Sequence, residues 1–188
     1  MREIAKQAGI ALGGLYFHFK SKEDLIDALM ERGLRLVYEQ VRDAIDSVPP
    51  DGSSAKKLEL ALNAHLNGAL NIAELTLALR YLHKHERDSE APTEYFRIRD
   101  AHREMWIGLI SKAQADGTLR PDTPAMLIYM YILGAMSWVP EWFDKERMST
   151  ERIAHFFTHF FFEGVGTPEL REKIATRSIT TSMFGINE

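Results

Sequence analysis

The chain of 188 residues contains no cysteine, so disulfide bonds, thiolate metal sites and cysteine nucleophiles are excluded. It also lacks the phosphate-binding loop, the glycine-rich dinucleotide pattern and the nucleophile elbow that identify many enzymes. No stretch alternates between polar and apolar residues over the length of a strand. We therefore expect an all-α protein that is not an enzyme and that needs no cofactor.

Long hydrophobic runs are also scarce, and the N-terminus has no apolar segment of the kind found in signal peptides. One stretch, 125–140, contains no charged residue, but a membrane-spanning helix needs about 20 apolar residues. We interpret this stretch as a helix that is buried in a core or at a subunit interface. These features favour a cytoplasmic protein that does not bind membranes.

Histidine occurs in two close pairs, but neither pair has the surroundings of a metal site. His155 and His159 are four residues apart, as on one face of a helix, and His83 lies near His85. Without cysteine, and without a glutamate between the two helical histidines, the pattern is weak evidence for zinc. We expect no metal centre, and we place His155 and His159 at an interface or facing solvent.

Positive charge is concentrated at the start of the chain. The whole sequence has a net charge of −4, which argues against non-specific binding of nucleic acid by its entire surface. The first 22 residues nevertheless include four basic residues and one acidic residue. A basic head on an acidic body would orient the molecule on DNA through that head.

The same segment has the pattern of two short helices joined by a tight turn. Ile4, Ala5 and Ala8 form an apolar face typical of a short packed helix, and Gly9 can end that helix in a left-handed conformation. Polar side chains on the second helix would face outwards, a layout that indicates a helix-turn-helix. The residues of the second helix that would face inwards are Leu12, Leu15 and Phe19.

The order of residues in this segment is more specific than its layout. The sequence reads Arg-Glu-Ile-Ala-x-x-Ala-Gly-Ile from Arg2 and Gly-x-Leu-Tyr-x-His-Phe-x-Ser-Lys-Glu-x-Leu up to Leu25. Over about residues 2–29 it closely resembles the DNA-binding signature of the TetR/AcrR family of bacterial transcriptional regulators. Members of that family have a further helix before this motif. We therefore expect either that residues precede Met1 in the native protein or that the head is incomplete.

The resemblance implies which residues meet the DNA. It places Tyr16, His18 and Lys22 against phosphates, and Arg2 at a position that often reaches base edges, where arginine is well suited to guanine. The positions that vary within the family and read bases fall on Leu12, Gly13 and Gly14. Because these three residues are small or apolar, we expect few direct hydrogen bonds to bases, and we assign the leucine to a thymine methyl group.

Helical spacing of apolar residues continues through the rest of the chain. A serine-capped long helix at 23–47 would lead from the head into the body, and prolines follow it as a break. We divide the chain into a helix-turn-helix DNA-binding domain, 1–30, and an effector-binding and dimerisation domain, 31–188, with about eight helices in all. Further helices are predicted at 54–70, 72–85, 93–116, 124–143 and 150–164, and a partly frayed tail is predicted beyond Gly166.

The last two predicted helices are too apolar to be satisfied by one packing face each. In the family that the head resembles, these helices form a four-helix bundle with their copies across a two-fold axis, which implies a homodimer. A monomeric core is the alternative. The residues that we assign to the dimer interface are Met130, Leu133, Met136, Phe156, Phe157 and Phe160.

Members of the family usually bind a small molecule in the body and then release DNA. Helix 93–116 has one face that combines arginine with apolar residues, so an arginine facing a cavity could bind an anionic ligand; alternatively, both arginines pair with acids on the solvent face. The segment 133–142 resembles a pattern in members whose ligands are acyl-CoA thioesters, with an uncharacterised hydrophobic effector as the rival. The residues assigned to the ligand site are Leu66, Arg99, Arg103, Trp106 and Ile110.

The resemblance therefore implies a ligand-responsive transcriptional regulator that binds double-stranded operator DNA as a homodimer. It would act as a repressor that a small hydrophobic or acyl-CoA-type effector releases from its operator. The alternative is a dimeric helical protein that binds a small molecule and is not competent for DNA binding.

Overall fold

A computed structural model describes residues 1–72 and 93–173 of the chain. Every regular element in these two ranges is a helix, so the all-α prediction is confirmed. The helix predicted at 72–85 lies outside the described residues apart from its first position. The α-helices are α1 (Arg2–Gln7), α2 (Leu12–His18), α3 (Lys22–Asp46), α4 (Ser54–Asn71), α5 (Thr93–Ala115), α6 (Ala125–Trp138) and α7 (Thr150–Val165).

A small apolar cluster holds the head together. Gly9 turns the chain after α1 with φ at 66°, a conformation that costs glycine little. Of the apolar face predicted for α1, only Ala5 is buried, while Ile4 and Ala8 are exposed. This six-residue helix turns only a narrow side towards the head cluster. The buried residues of the cluster and those packed against them are Ala5, Leu15, Leu25, Met1, Leu12, Phe19 and Leu29.

The long helix α3 begins with the predicted serine cap. The Ser21 hydroxyl oxygen accepts a hydrogen bond from the backbone N–H of Asp24 at 3.0 Å. The Asp24 carboxylate in turn accepts one from the backbone N–H of Lys20 at 2.9 Å. The first bond satisfies a backbone donor that the helix start leaves free, and the second holds the residue before the cap against the first turn, so together they fix the point at which the chain leaves the head.

The body is a bundle in which α4 is the central helix. Leu58, Leu62 and Leu66, at the predicted steps of four residues, are almost fully buried. Gly68 continues this helix against α3, and a Cβ atom there would come within 3.3 Å of the Val37 side chain. The absence of a side chain at this position therefore allows α3 and α4 to pack closely.

One predicted helix end is wrong. The apolar helix predicted to reach residue 143 ends at Trp138, and a short 3-10 helix, Val139–Glu141, follows. Pro140 lies in that turn, and proline has no backbone N–H to continue an α-helix. Beyond Gly166, residues 168–173 are helical and Leu170 packs against the core, while the rest of the tail for which partial fraying is predicted lies outside the described residues. No helix in the described ranges is both long and apolar enough to cross a membrane.

The loop after α5 is fastened to the end of α7. The backbone N–H of Arg120 donates to the carbonyl of Val165 at 2.9 Å, and that of Thr167 donates to the carbonyl of Thr118 at 3.2 Å. Leu119 lies in this loop and is fully buried in the body core. These bonds hold the C-terminal ends of α5 and α7 together.

Candidate DNA-binding and effector sites

The second head helix, α2, has a clear inner and outer side. Successive residues of an α-helix are about 100° apart around its axis. Leu15 is buried and Leu12 is half-buried against the head cluster, so together they mark the inner side. Gly13, Gly14 and Phe17 are then on the opposite side, and all three are exposed.

Polar groups flank this outer side. Tyr16 and His18 are exposed on its two edges, because they precede and follow the outward residue Phe17 by one position each. Lys22 is half-buried at the start of α3, and Arg2 is exposed at the start of α1. The structure thus leaves the predicted phosphate and base contacts on the head surface, with Leu12 turned towards the interior.

Phe17 is a residue of this surface that the sequence reasoning did not select. Its side chain is 85% exposed, and its ring makes an edge contact with the His18 ring at 5.2 Å between centroids. Helical spacing indicates its position, because a residue two positions after the inward-facing Leu15 is turned by about 200° and points away from the head.

An ion-pair cluster connects α3 to the start of α5. The Arg35 guanidinium donates to Glu31 at 2.9 Å and to Glu94 at 2.7 Å. Glu94 also accepts from Arg97 at 2.7 Å. Hydrogen bonds from Arg97 and Arg35 lower the pKa of the Glu94 carboxyl to about 2, so this carboxylate remains charged under ordinary conditions. The helix that leaves the head is therefore tied to the body by a charged contact.

Two histidines from different helices meet inside the body. His65 on α4 is 5% exposed and His102 on α5 is 3% exposed, with 5.4 Å between their ring centroids. The indole N–H of Trp106 donates to Nε2 of His102 at 3.2 Å, and the Tyr129 ring lies 6.4 Å from that of His102. Nδ1 of His65 has no hydrogen-bond partner among the described residues.

Burial keeps both histidines uncharged. Desolvation, with a smaller contribution from His102, lowers the pKa of His65 to about 3. Desolvation also lowers the pKa of His102 to about 4. Near neutral pH the pair therefore offers hydrogen-bonding nitrogens without positive charge in the core. Neither histidine was selected from the sequence, because they are far apart along the chain.

An open groove of about 520 Å³ lies between α6, α7 and α4. It is almost wholly apolar. Tyr131, Trp142 and Phe160 are the exposed side chains of its lining, whereas Leu62, Ile132 and Phe161 are buried. Leu62 and Ile132 in its lining are each one helical turn from His65 and Tyr129, respectively, so the groove adjoins the layer that contains the histidines. The lining residues are Leu62, Tyr131, Ile132, Ala135, Met136, Trp142, Met148, Ile153, Phe156, Phe157, Phe160 and Phe161.

Comparison with known families identifies both parts of the chain. Residues 1–29 match the family described as bacterial regulatory proteins, tetR family. Residues 51–165 match the family described as tetracyclin repressor-like, C-terminal domain. The chain belongs to the TetR family. The predicted family is therefore confirmed, and so is the helix-turn-helix head.

Named relatives of the chain include transcriptional repressors. The HTH-type transcriptional repressor KstR2 of Mycolicibacterium smegmatis is 29% identical over 169 residues, which cover 88% of this chain and 80% of the relative. TetR-family proteins bind operator DNA and act as dimers. This chain is accordingly a TetR-type transcriptional regulator.

Solved structures share the fold of this TetR-family chain. The ketosteroid transcriptional regulator KstR2 of Mycobacterium tuberculosis has a TM-score of 0.70 at 22% identity, covering 88% of this chain and 84% of that one. AibR in complex with isovaleryl coenzyme A and operator DNA has a TM-score of 0.63 at 23% identity, covering 84% of each chain. At these identities the likeness shows the fold alone.

The structure does not gather the five predicted ligand residues around one cavity in the part of the chain that it describes. Leu66, Trp106 and Ile110 are fully buried in the core of this TetR-family body. Both arginines reach solvent, where Asp100 on the same helix is their ion-pair partner. Arg99 lies 3.0 Å and Arg103 3.2 Å from this carboxylate. The alternative of a solvent-side ion pair therefore describes both arginines.

The predicted dimer residues divide into two groups. Met130 is 58% exposed and Phe160 is 63% exposed, although both are large apolar side chains. Leu133, Phe156 and Phe157 are half-buried. Met136 is 2% exposed within its own protomer, where it packs in the body core and borders the groove, so it offers little surface to a second copy.

The histidine pair of α7 does not form part of a larger cluster. His155 and His159 have stacked rings 6.4 Å apart. Within residues 1–72 and 93–173, no group of three or more histidine or acidic side chains could hold a metal ion. His83 and His85 lie outside these ranges.

Proposed function

We propose that this TetR-family protein is a cytoplasmic repressor, without catalytic activity, that leaves its operator when a small hydrophobic or acyl-CoA-type effector binds in the body. The observation that carries this proposal is the apolar groove of about 520 Å³ below a TetR-type head. Its volume is typical of small-molecule sites. Because its lining is almost wholly apolar, the part of the effector that enters it is apolar too.

An acyl-CoA is the first effector class to test. The structural neighbour AibR was solved with isovaleryl coenzyme A and operator DNA. In this chain the acyl group would occupy the groove. Arg99 and Arg103 are not part of the groove lining and pair with Asp100, so they would meet an anionic part of the ligand only where it extends beyond the groove to α5. Leu66, Trp106 and Ile110 belong to the packed core beneath this site, so they would meet the effector only if the helices around them separate.

On DNA, we propose that residues 1–30 form the reading head and residues 31–188 the effector and dimer domain. Tyr16, His18 and Lys22 would contact phosphates, and Arg2 would reach a base edge. The bare backbone at Gly13 and Gly14 would approach the DNA closely, with Leu12 supporting the helix from behind. The two heads of a dimer would occupy successive major grooves about 34–36 Å apart.

We propose that α6 and α7 form the dimer interface. Met130 and Phe160 expose apolar surface that a soluble monomer would leave in water, and Leu133, Phe156 and Phe157 continue the same surface. Phe156, Phe157 and Phe160 also line the groove, so in the dimer a second copy would border the effector site. Burial of such a patch against a second copy is the ordinary way to remove it from water. A symmetric dimer also matches an operator with two half-sites.

The operator part of the proposal is tested by selecting binding sequences from a random duplex library. The selection uses the 188-residue chain and the same chain extended by whatever residues precede Met1 in its gene. We expect enrichment of an inverted repeat whose half-sites lie one helical turn, or a multiple of it, apart. If neither form enriches any sequence, the repressor proposal is wrong.

The effector part is tested by calorimetry with isovaleryl-CoA and octanoyl-CoA as probes, followed by gel shift on the selected operator. We expect heat of binding and release of DNA. Ala135→Trp fills the groove and should abolish both effects while operator binding remains, whereas Ala115→Trp at the exposed end of α5 should change neither. No heat and no release with either probe would exclude the acyl-CoA class.

A further inference from the structure

The outer side of α2 has only one large side chain at its centre, and that side chain is apolar. Gly13 and Gly14 precede Phe17 by one helical turn on this side, and Phe17 is 85% exposed. We propose that Phe17 reads the C5 methyl group of a thymine in the major groove and is a specificity-determining residue of this regulator. The inference rests on the proposed function, since it requires that the head binds DNA.

Position, rather than exposure, is the first argument. A single exposed apolar side chain is common in soluble proteins and needs no explanation by itself. Phe17, however, lies almost opposite the buried Leu15 on α2. Its side chain therefore points out of the head, away from the buried head cluster.

The two glycines are the second argument. A Cβ atom at Gly13 or Gly14 would meet nothing within 4 Å, so space inside the protein does not require glycine there. Their lack of side chains leaves the backbone bare beside the Phe17 ring. A helix with this surface can lie deep in a groove, and the phenyl ring is then the group that reaches the base edges.

Charge identifies the occupant of this surface. The first 22 residues carry Arg2, Lys6, Lys20 and Lys22 against Glu3 alone, although the chain as a whole is acidic. An apolar protein partner would be expected against an apolar patch, whereas here a single exposed ring belongs to the segment of the chain in which basic residues are concentrated. Duplex DNA fits this combination, because phosphates attract the cations and the groove receives the ring.

The chemistry of the ring selects the base. A phenyl group has no hydrogen-bond donor or acceptor, so it cannot read the polar pattern of a base pair. In the major groove, the thymine methyl is the apolar feature of the four bases, and phenylalanine is one of the side chains that contact it. Leu12, the residue first assigned to this contact, is half-buried against the head cluster. Phe17 is therefore better placed for it.

Replacement of thymidine by deoxyuridine tests the inference, because the two differ only in the C5 methyl group. Each thymidine of the selected operator is replaced in turn, symmetrically in both half-sites, and the dissociation constant is measured by fluorescence anisotropy. For the native chain, we expect one position at which affinity falls about fourfold per half-site, or about 15-fold for both, as the loss of a methyl contact implies.

Variants assign the effect to Phe17. Phe17→Ala should bind the thymidine and deoxyuridine operators equally, while Phe17→Leu should keep part of the difference. Because Phe17 is exposed, neither substitution should unfold the head, which circular dichroism checks. Phe96→Ala, which removes an exposed phenyl ring from α5, should keep the full difference. Lys22→Ala should weaken both operators by the same factor.

The outcomes separate this inference from the function on which it rests. If an operator is selected but no thymidine replacement changes affinity, or if Phe17→Ala retains the full methyl dependence, the inference is wrong and the repressor proposal stands. If no duplex is selected at all, the DNA-binding proposal fails first.

Discussion

The buried histidine pair predicts that the body loses stability in mild acid. His65 and His102 have pKa values of about 3 and about 4 in the folded chain, against 6.5 for an ordinary histidine. Because the unfolded chain binds these protons more readily, stability is greatest above pH 6.5. It then falls as the pH decreases towards the folded-state values.

The magnitude follows from the linkage between protonation and folding. One pKa unit corresponds to about 1.4 kcal/mol, and pH 5 is about 1.5 units below the pKa of an unfolded histidine. Each buried histidine should therefore contribute a loss of about 2 kcal/mol between pH 7.5 and pH 5, and the pair about 4 kcal/mol. That is a large share of the 5–15 kcal/mol, roughly, by which domains are stable.

Urea denaturation at the two pH values, at a fixed protein concentration, measures this loss. His65→Leu should reduce the decrease in unfolding free energy by about 2 kcal/mol, because the group that gains a proton on unfolding is gone. Ile132→Val, a buried substitution without titration, should lower stability by about the same amount at both pH values. If His65→Leu loses as much stability between the two pH values as the native chain, the buried imidazole is not neutral as argued.

Lys22→Ala should weaken operator binding and reduce the slope of log affinity against log salt by about 2 for a dimer, since each head loses one phosphate contact; an unchanged slope in a salt titration would remove Lys22 from the DNA surface. Glu94→Gln weakens the contact of α5 with Arg35 on α3, so an effector should release less operator in a gel shift, with affinity in its absence retained. Equal release by this variant and the native chain would exclude the contact as a route of coupling. Phe160→Asp places a charge on the exposed face of α7 and should shift the protein towards a monomer in sedimentation velocity, whereas a dimer of native strength would place the interface elsewhere.

Local patterns predicted the parts of this fold that depend on neighbours along the chain. The serine cap of α3 and the leucines of α4 follow from short-range spacing, and the structure has both. The end of α6 was missed although its cause is local. Pro140 removes a backbone donor, but apolar residues continue past it, so hydrophobicity alone predicts a helix that is too long.

The site depended more on packing between helices, which spacing does not reveal. His65 and His102 meet because α4 and α5 cross, and neither position looks unusual in its own helix. Arg99 and Arg103 share a face with Trp106 in the sequence pattern. Their side chains are nevertheless long enough to reach solvent, where Asp100 pairs with them.

The hydrogen bonds that join the loop after α5 to the end of α7 have a mechanical consequence. The backbone N–H of Arg120 bonds to Val165 and that of Thr167 bonds to Thr118, and these bonds join the two helices at one end of the body. We therefore expect α5 and α7 to move together when an effector enters the groove beside α7. The long helix α3 packs along α4 and is tied to α5 through Arg35 and Glu94, so a movement of α5 would be passed along α3 to the head.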